Sequence, residues 1–138
     1  MSSIPESPSL SDAKKYFCTR YRFCELEIIP HKRIIFQVKD KSFLLFSPYS
    51  KYHETITGWW FDITKKQKDI FDLYIETIFL IRLNRDGIHE LSYKKQLLPF
   101  LTSDYIQFNS HEGYHWKVYI KNNFLNIRNC NSNIQLNK

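Results

Sequence analysis

Polar and apolar positions change their period several times along this chain, and each change marks an element. The first residues, MSSIPESPS, carry Ser and Pro with little apolar content. Residues 1–11 are therefore expected to be a flexible tail, with Ser9 or Ser11 capping a short helix through Asp12–Phe17. In RFCELEIIP, Phe23, Glu25 and Glu27 alternate with Cys24, Leu26 and Ile28, which is the period of a strand. A polar turn at Pro30–Arg33 leads into RIIFQVKDKSFLLFSP, read as one or two strands that end at Pro48 and Ser50.

A polar connection from Tyr49 to Gly58 precedes Trp59, Trp60 and Phe61. Ile63, Ile70, Phe71 and Tyr74 then recur at helical spacing, with Asp62 or Thr64 as the cap. ETIFLIRL is a continuous apolar run of strand length, which predicts a strand covered on both faces. Asn84-Arg85-Asp86-Gly87 signals a turn, and the hairpin returns through Ile88–Leu91. YKKQLLPFL reads as a short helix with Pro99 near its end. Tyr114–Ile120 alternates as a strand, and the Asn-rich residues 129–138 are expected to fray. This order predicts an α/β (α+β) domain over residues 12–128, with a mixed central β-sheet flanked by helices.

Composition narrows the class. A chain of 138 residues is the size of one domain, and none of its stretches approaches the roughly 18 apolar residues of a membrane span. Aromatic residues are 17% of the chain, enough for a dense core without disulfides. Only 3 glycines leave no room for a Gly-rich phosphate loop. Cys18, Cys24 and Cys130 form no CxxC pair and no apolar leader precedes them, so reduced thiols and a cytoplasmic setting are expected. His111 and His115 are the only closely spaced histidines. They sit beside Gly113 in a turn without a third ligand, so a solvated loop is expected there rather than zinc. The formal charge of +6 suits an anionic partner such as nucleic acid.

One segment carries candidate chemistry. Glu25 and Glu27 share a face of their strand, as do Gln37 and Lys39 of the next. An odd loop between the strands would pair Glu27 with Gln37 and Glu25 with Lys39; an even loop would put the two pairs on opposite faces. Two carboxylates and an amide oxygen are hard ligands of the kind Mg²⁺ takes, and a neighbouring lysine can stabilise developing phosphate charge. The competing reading is a solvated cross-strand ion pair worth roughly 0.2–1 kcal/mol.

An acidic strand followed by an apolar strand ending in FQVK resembles the core of the PD-(D/E)XK nucleases, in the variant with glutamine as second ligand. The following helix, the ETIFLIRL strand, a turn, a short strand and WKVYI are similar in order. The resemblance covers roughly residues 12–121 and rests on architecture more than on identity. It implies a restriction-endonuclease-like fold and Mg²⁺-dependent DNA cleavage, with Mn²⁺ as the alternative ion. Glu25 or Glu27 would match the metal-binding acid, Gln37 the variable ligand and Lys39 the catalytic lysine. The chain departs from the family in having Glu for Asp and in lacking a small-residue turn before it.

Lys14, Lys15, Arg20, Arg22, Lys65 and Lys66 are candidate phosphate contacts, with a solvated surface as the alternative. Of the adjacent Trp59 and Trp60, one is expected in the core and the other is the candidate stacking platform; Trp116 is expected in the core. A dimer cutting both strands follows from symmetry. The alternative function is a non-catalytic nucleic-acid-binding or protein-inhibitor domain on a degenerate nuclease fold.

Overall fold

Ser9 starts the first helix, α1 (Leu10–Tyr21), through a reciprocal cap. Its hydroxyl accepts from the Asp12 amide at 3.0 Å, and the Asp12 carboxylate accepts from the Ser9 amide at 2.8 Å. Ala13 and Phe17, four residues apart, form the buried stripe, and Arg22 ends the helix in the left-handed region at φ 61°. The structure is a computed structural model and describes residues 7–22, 25–29, 32–38 and 42–136. The tail expected over residues 1–11 is corrected from Ser7 onward. Tyr49 donates to the Ser7 hydroxyl at 2.6 Å, and Arg82 donates to the Pro8 carbonyl at 3.4 Å.

The fold is mixed α+β with two sheets. In the first, β1 (Leu26–Ile29) and β2 (Lys32–Val38) form an antiparallel hairpin, and β2 pairs antiparallel with β3 (Phe43–Phe46). Next come β4 (Tyr49–Ser50) and then, in the other sheet, β5 (Trp59–Thr64), followed by α2 (Lys65–Phe71). β6 (Glu76–Leu83) pairs parallel with β3 and β4 in one continuous register, Phe43 opposite Glu76 and Tyr49 opposite Arg82. The break between them falls at Ser47-Pro48, where proline has no N–H to donate. Arg82 fills that gap: its Nε donates to the Ser47 hydroxyl at 2.9 Å and its Nη2 to the Ser47 carbonyl at 2.8 Å. β7 (Gly87–Ser92) covers the other side of β6 after the turn, with Gly87 at φ 91°.

The second sheet is wholly antiparallel, and the sequence pattern did not separate it from the first. It contains β5, β8 (Gln107–Asn109), β9 (Gly113–Lys121), β10 (Phe124–Ile127) and β11 (Asn133–Gln135). Trp59–Phe61 thus begins a strand, and the WKVYI strand belongs to this sheet rather than to the mixed one. Residues 133–135, expected to fray, pair with β10, and Leu136 is buried. No helix among the described residues is long and apolar enough to cross a membrane.

Strand alternation divides the core. Phe36, Val38, Leu45, Ile78 and Leu80 face Ala13 and Phe17 of α1. Ile35, Leu44, Phe46, Phe79 and Ile81 face the second sheet's Phe61, Ile63, Trp116, Val118 and Ile120. This is why ETIFLIRL is apolar throughout: every position after Glu76 is buried.

Two predictions arise here. A Cβ on Gly58 would lie 2.3 Å from the Ile120 carbonyl oxygen, where β5 meets β9. Gly58→Ala should therefore lower stability in urea unfolding by about 1–3 kcal/mol, as overpacking does. The second concerns Tyr93, which is fully buried and donates to Asp72 Oδ1 at 2.5 Å. Burial pushes the Asp72 carboxyl up, but hydrogen bonds from Lys68 and Tyr93 outweigh it and the net pKa falls. A lowered carboxyl pKa stabilises the fold above the ordinary value of 3.8, and that stability is lost as pH falls below it. Tyr93→Phe should cost about 1 kcal/mol near neutrality. It should also narrow the stability gap between about pH 6 and about pH 2.5, as read from urea midpoints.

Candidate metal centre

β5 and β9 bring together the side chains of greatest chemical interest. Phe61 and Ile63 point into the core, so Trp60, Asp62 and Thr64 take the opposite face of β5. Their partners on β9 are Tyr119, Lys117 and His115 in that order. Glu112 comes from the turn before β9. There the Asn109 side chain accepts from the His111 and Glu112 amides at 3.0 and 2.6 Å, and Gly113 adopts φ 75°. This tight turn folds Glu112 back toward the strand pair.

One ligand atom from each of Asp62, Glu112 and His115 lies within 4.8 Å of the other two. The His115 side chain is 2% exposed and that of Asp62 10%, while Glu112, at 32%, keeps one side of the cluster open to water. Asp62 Oδ1 and Glu112 Oε2 are both buried without a hydrogen-bond donor. The two carboxyls lie within 4.8 Å of each other, and the Asp62 carboxyl, followed by burial, holds the Glu112 carboxyl above the ordinary range; His115 and Lys117 offset part of the rise. Two ionised carboxylates this close are both acceptors; Lys117 already supplies one positive charge beside them, and a shared proton or a metal ion would supply another.

The nitrogen groups complete the set. His115 Nδ1 lies 3.0 Å from the Gly113 carbonyl and 4.0 Å from Glu112 Oε2. A carbonyl only accepts, so that bond places the proton on Nδ1, and His115 would ligate an ion through this nitrogen only by giving the bond up. Lys117 Nζ sits 3.3 Å from Asp62 Oδ1 and 4.2 Å from the centroid of the Trp60 ring. Asp62 and Glu112 line an open cavity of about 560 Å³, together with Trp60, His53, Thr64 and Gln67. The cluster could hold a metal ion, with the cavity leaving one side open to water or a ligand.

The residues expected to carry the chemistry are arranged differently. The hairpin has the expected pairing at its described end, with Glu27 opposite Gln37 and Leu26 opposite Val38. Glu27 is exposed on β1, Glu25 is exposed and outside any strand, and Gln37 is half-buried. Lys39 lies outside the described residues, and so does its pairing with Glu25. The register shifts between Ile28 and Ile29, which pairs Ile29 with Lys32.

Several candidate phosphate contacts already have partners. Lys14 lies 4.5 Å from the Phe36 ring centroid, Arg20 is 3.5 Å from Glu90, and Lys65 is 2.5 Å from Asp69. Lys15 and Arg22 are exposed, and Lys66 lines a second cavity. Of the two adjacent tryptophans, Trp59 packs against the core and donates to the Asn84 carbonyl at 2.8 Å, while Trp60 faces the cavity. Trp116 is buried.

His111 is exposed, but His115 is buried rather than solvated, which corrects the loop reading. The turn sequence His111-Glu112-Gly113-Tyr114-His115-Trp116-Lys117 already held Glu112, His115 and Lys117. Asp62, the third residue of the cluster, comes from a strand fifty positions earlier. Compared with known family models, curated proteins and solved structures, the chain has no significant match in any of the three.

Proposed function

We propose that the protein is a metal-dependent phosphodiesterase acting on DNA, with its centre at Asp62, Glu112, His115 and Lys117. The observation that carries this reading is the Asp62–Glu112–His115 cluster, its ligand atoms within 4.8 Å of one another, beside Lys117 at the wall of an open cavity. The resemblance to PD-(D/E)XK nucleases names the same chemical set: two acids, a third ligand and a lysine. Burial favours β5 and β9 over the exposed Glu25 and Glu27 as the place where that set works.

Two carboxylates and an imidazole suit Mn²⁺ better than Mg²⁺, because Mg²⁺ prefers oxygen throughout. A bound ion would supply Lewis acidity to a phosphate oxygen and to water. Lys117, 3.3 Å from Asp62 Oδ1, is the group that would meet developing negative charge on phosphate. The net charge of +6 suits a polyanionic substrate.

The test is cleavage of labelled single-stranded and duplex oligonucleotides with Mn²⁺ or Mg²⁺. Wild type should cut, Asp62→Asn should lose at least about a thousandfold in rate, and Glu27→Gln/Lys39→Ala should retain activity. No cutting by wild type overturns the reading. Loss only in the Glu27/Lys39 variant moves the centre to the hairpin.

A second reading, a binding module without catalysis, is favoured by one observation. Phe108 and Tyr114 pair across β8 and β9 at 5.0 Å while remaining 63% and 57% exposed, as a docking surface would be. Binding to DNA with no cleavage under any metal would select it.

A further inference from the structure

The cavity beside the Asp62–Glu112 pair does not stand alone. A neighbouring cavity of about 340 Å³ shares Thr64, Gln67 and Glu112 with it. The two cavities therefore lie side by side, with Thr64, Gln67 and Glu112 between them. Each of the two cavities that meet at Glu112 carries lysine, Lys51 in one and Lys32 and Lys66 in the other. The shared wall is held firmly: Thr64 Oγ1 accepts from the Gln67 amide at 3.1 Å, and Gln67 Oε1 accepts from the Thr64 amide at 3.0 Å.

A terminal phosphate or a mononucleotide would need cations on one side of the acids only. A strand threading past them places phosphates on both sides, and the lysines are distributed in that way. Trp60 adds an aromatic wall of the kind on which bases stack. The two cavities, about 560 and 340 Å³, are of small-ligand size, which suits the nucleotides of one strand better than the width of a duplex.

We infer that the two cavities act as one groove and bind a single polynucleotide strand across the centre, with Lys51 on the phosphates at one side and Lys32 and Lys66 on those at the other. This rests on the nuclease reading for the identity of its central site, and it makes the reaction internal to a strand. The lysines position the substrate; Asp62 and Glu112 repel it until a cation is bound.

The experiment is fluorescence anisotropy of a labelled single-stranded DNA dodecamer on the metal-free full chain, over a salt series. Wild type, Lys51→Met, Lys32→Met/Lys66→Met and Asp62→Asn/Glu112→Gln are compared. Each lost phosphate contact should lower the slope of log K against log salt by roughly 0.7. Lys51→Met should lower it by about 0.7 and the double lysine variant by about 1.4, each with about tenfold or greater loss of affinity at low salt.

The acid-to-amide variant should bind the strand at least as tightly as wild type while losing any cleavage. Unchanged binding in both lysine variants overturns the groove even if wild type cleaves DNA. An effect at one end only overturns the threaded strand in favour of a terminal phosphate. Tighter binding of the corresponding duplex than of the single strand overturns the single-strand claim. Strand binding that needs the lysines, without cleavage under any metal, supports the groove and rejects the nuclease reading.

Discussion

Phe79→Ala is expected to cost about 3–5 kcal/mol, the range for deleting a buried aromatic ring. Phe79 is fully buried on the face of β6 that meets the second sheet. Its ring lies 4.7 Å from Phe46, 5.5 Å from Phe71 and 6.2 Å from Tyr93, centroid to centroid. Those partners come from β3, α2 and the helical turn Tyr93–Leu97, so the ring joins four parts of the chain. They are held by their own strands and turns and can collapse only in part, which leaves a cavity. Domains of this size have roughly 5–15 kcal/mol of stability, so the variant should be close to half unfolded at modest urea. A midpoint more than about 1 M below wild type is the expected result. Leu73→Ala is the matched control, since Leu73 is 81% exposed and its loss should stay within about 0.5 kcal/mol. Equal effects at the two positions would reject the described core.

The second large effect concerns the proposed metal centre. Asp62→Asn should weaken Mn²⁺ binding by at least about a hundredfold, because it removes one of two anionic ligands; outer-shell changes alone cost about 10–100-fold. Glu112→Gln should weaken it comparably and should also flatten its pH dependence. The Glu112 carboxyl is held above its ordinary range by the Asp62 carboxyl and by burial, so protons compete with the ion there. Affinity in wild type should therefore fall as pH drops through that raised range, and the fall should be shallower in Glu112→Gln. Urea midpoints in the absence of metal check that both variants remain folded.

What could be read from the sequence followed from local periodicity. ETIFLIRL announced a strand buried on both faces because α1 and the second sheet leave none of its residues after Glu76 exposed. The pairing of Glu27 with Gln37 was one of two registers that the sequence left open; the register shift between Ile28 and Ile29, not the length of the turn, selects it. Thr64 was legible as a cap because its side chain bonds only three residues ahead.

The centre was not legible, because it is assembled from long-range pairing. Alternation alone puts Asp62 and Lys117 on outer faces of their strands. Only the β5–β9 register sets them opposite each other, and no local signal specifies that register. Glu112 reaches them through a turn built on Asn109, whose role lies in side-chain bonds to amides two and three residues away. The end of the chain misled for a related reason. Asn133 and Gln135 are polar, yet a ladder with β10 holds them through main-chain bonds, which are indifferent to side-chain polarity. Composition suggested a tail where backbone pairing made a strand.

The most direct test of the account is calorimetric titration of MnCl₂ into the metal-free full chain near pH 7.5, beside Asp62→Asn/Glu112→Gln. The account predicts saturable binding of one ion per chain, with proton release seen as a dependence on buffer ionisation heat, and loss of that binding in the double variant. No saturable binding by wild type, or equal binding by the folded double variant, would contradict it.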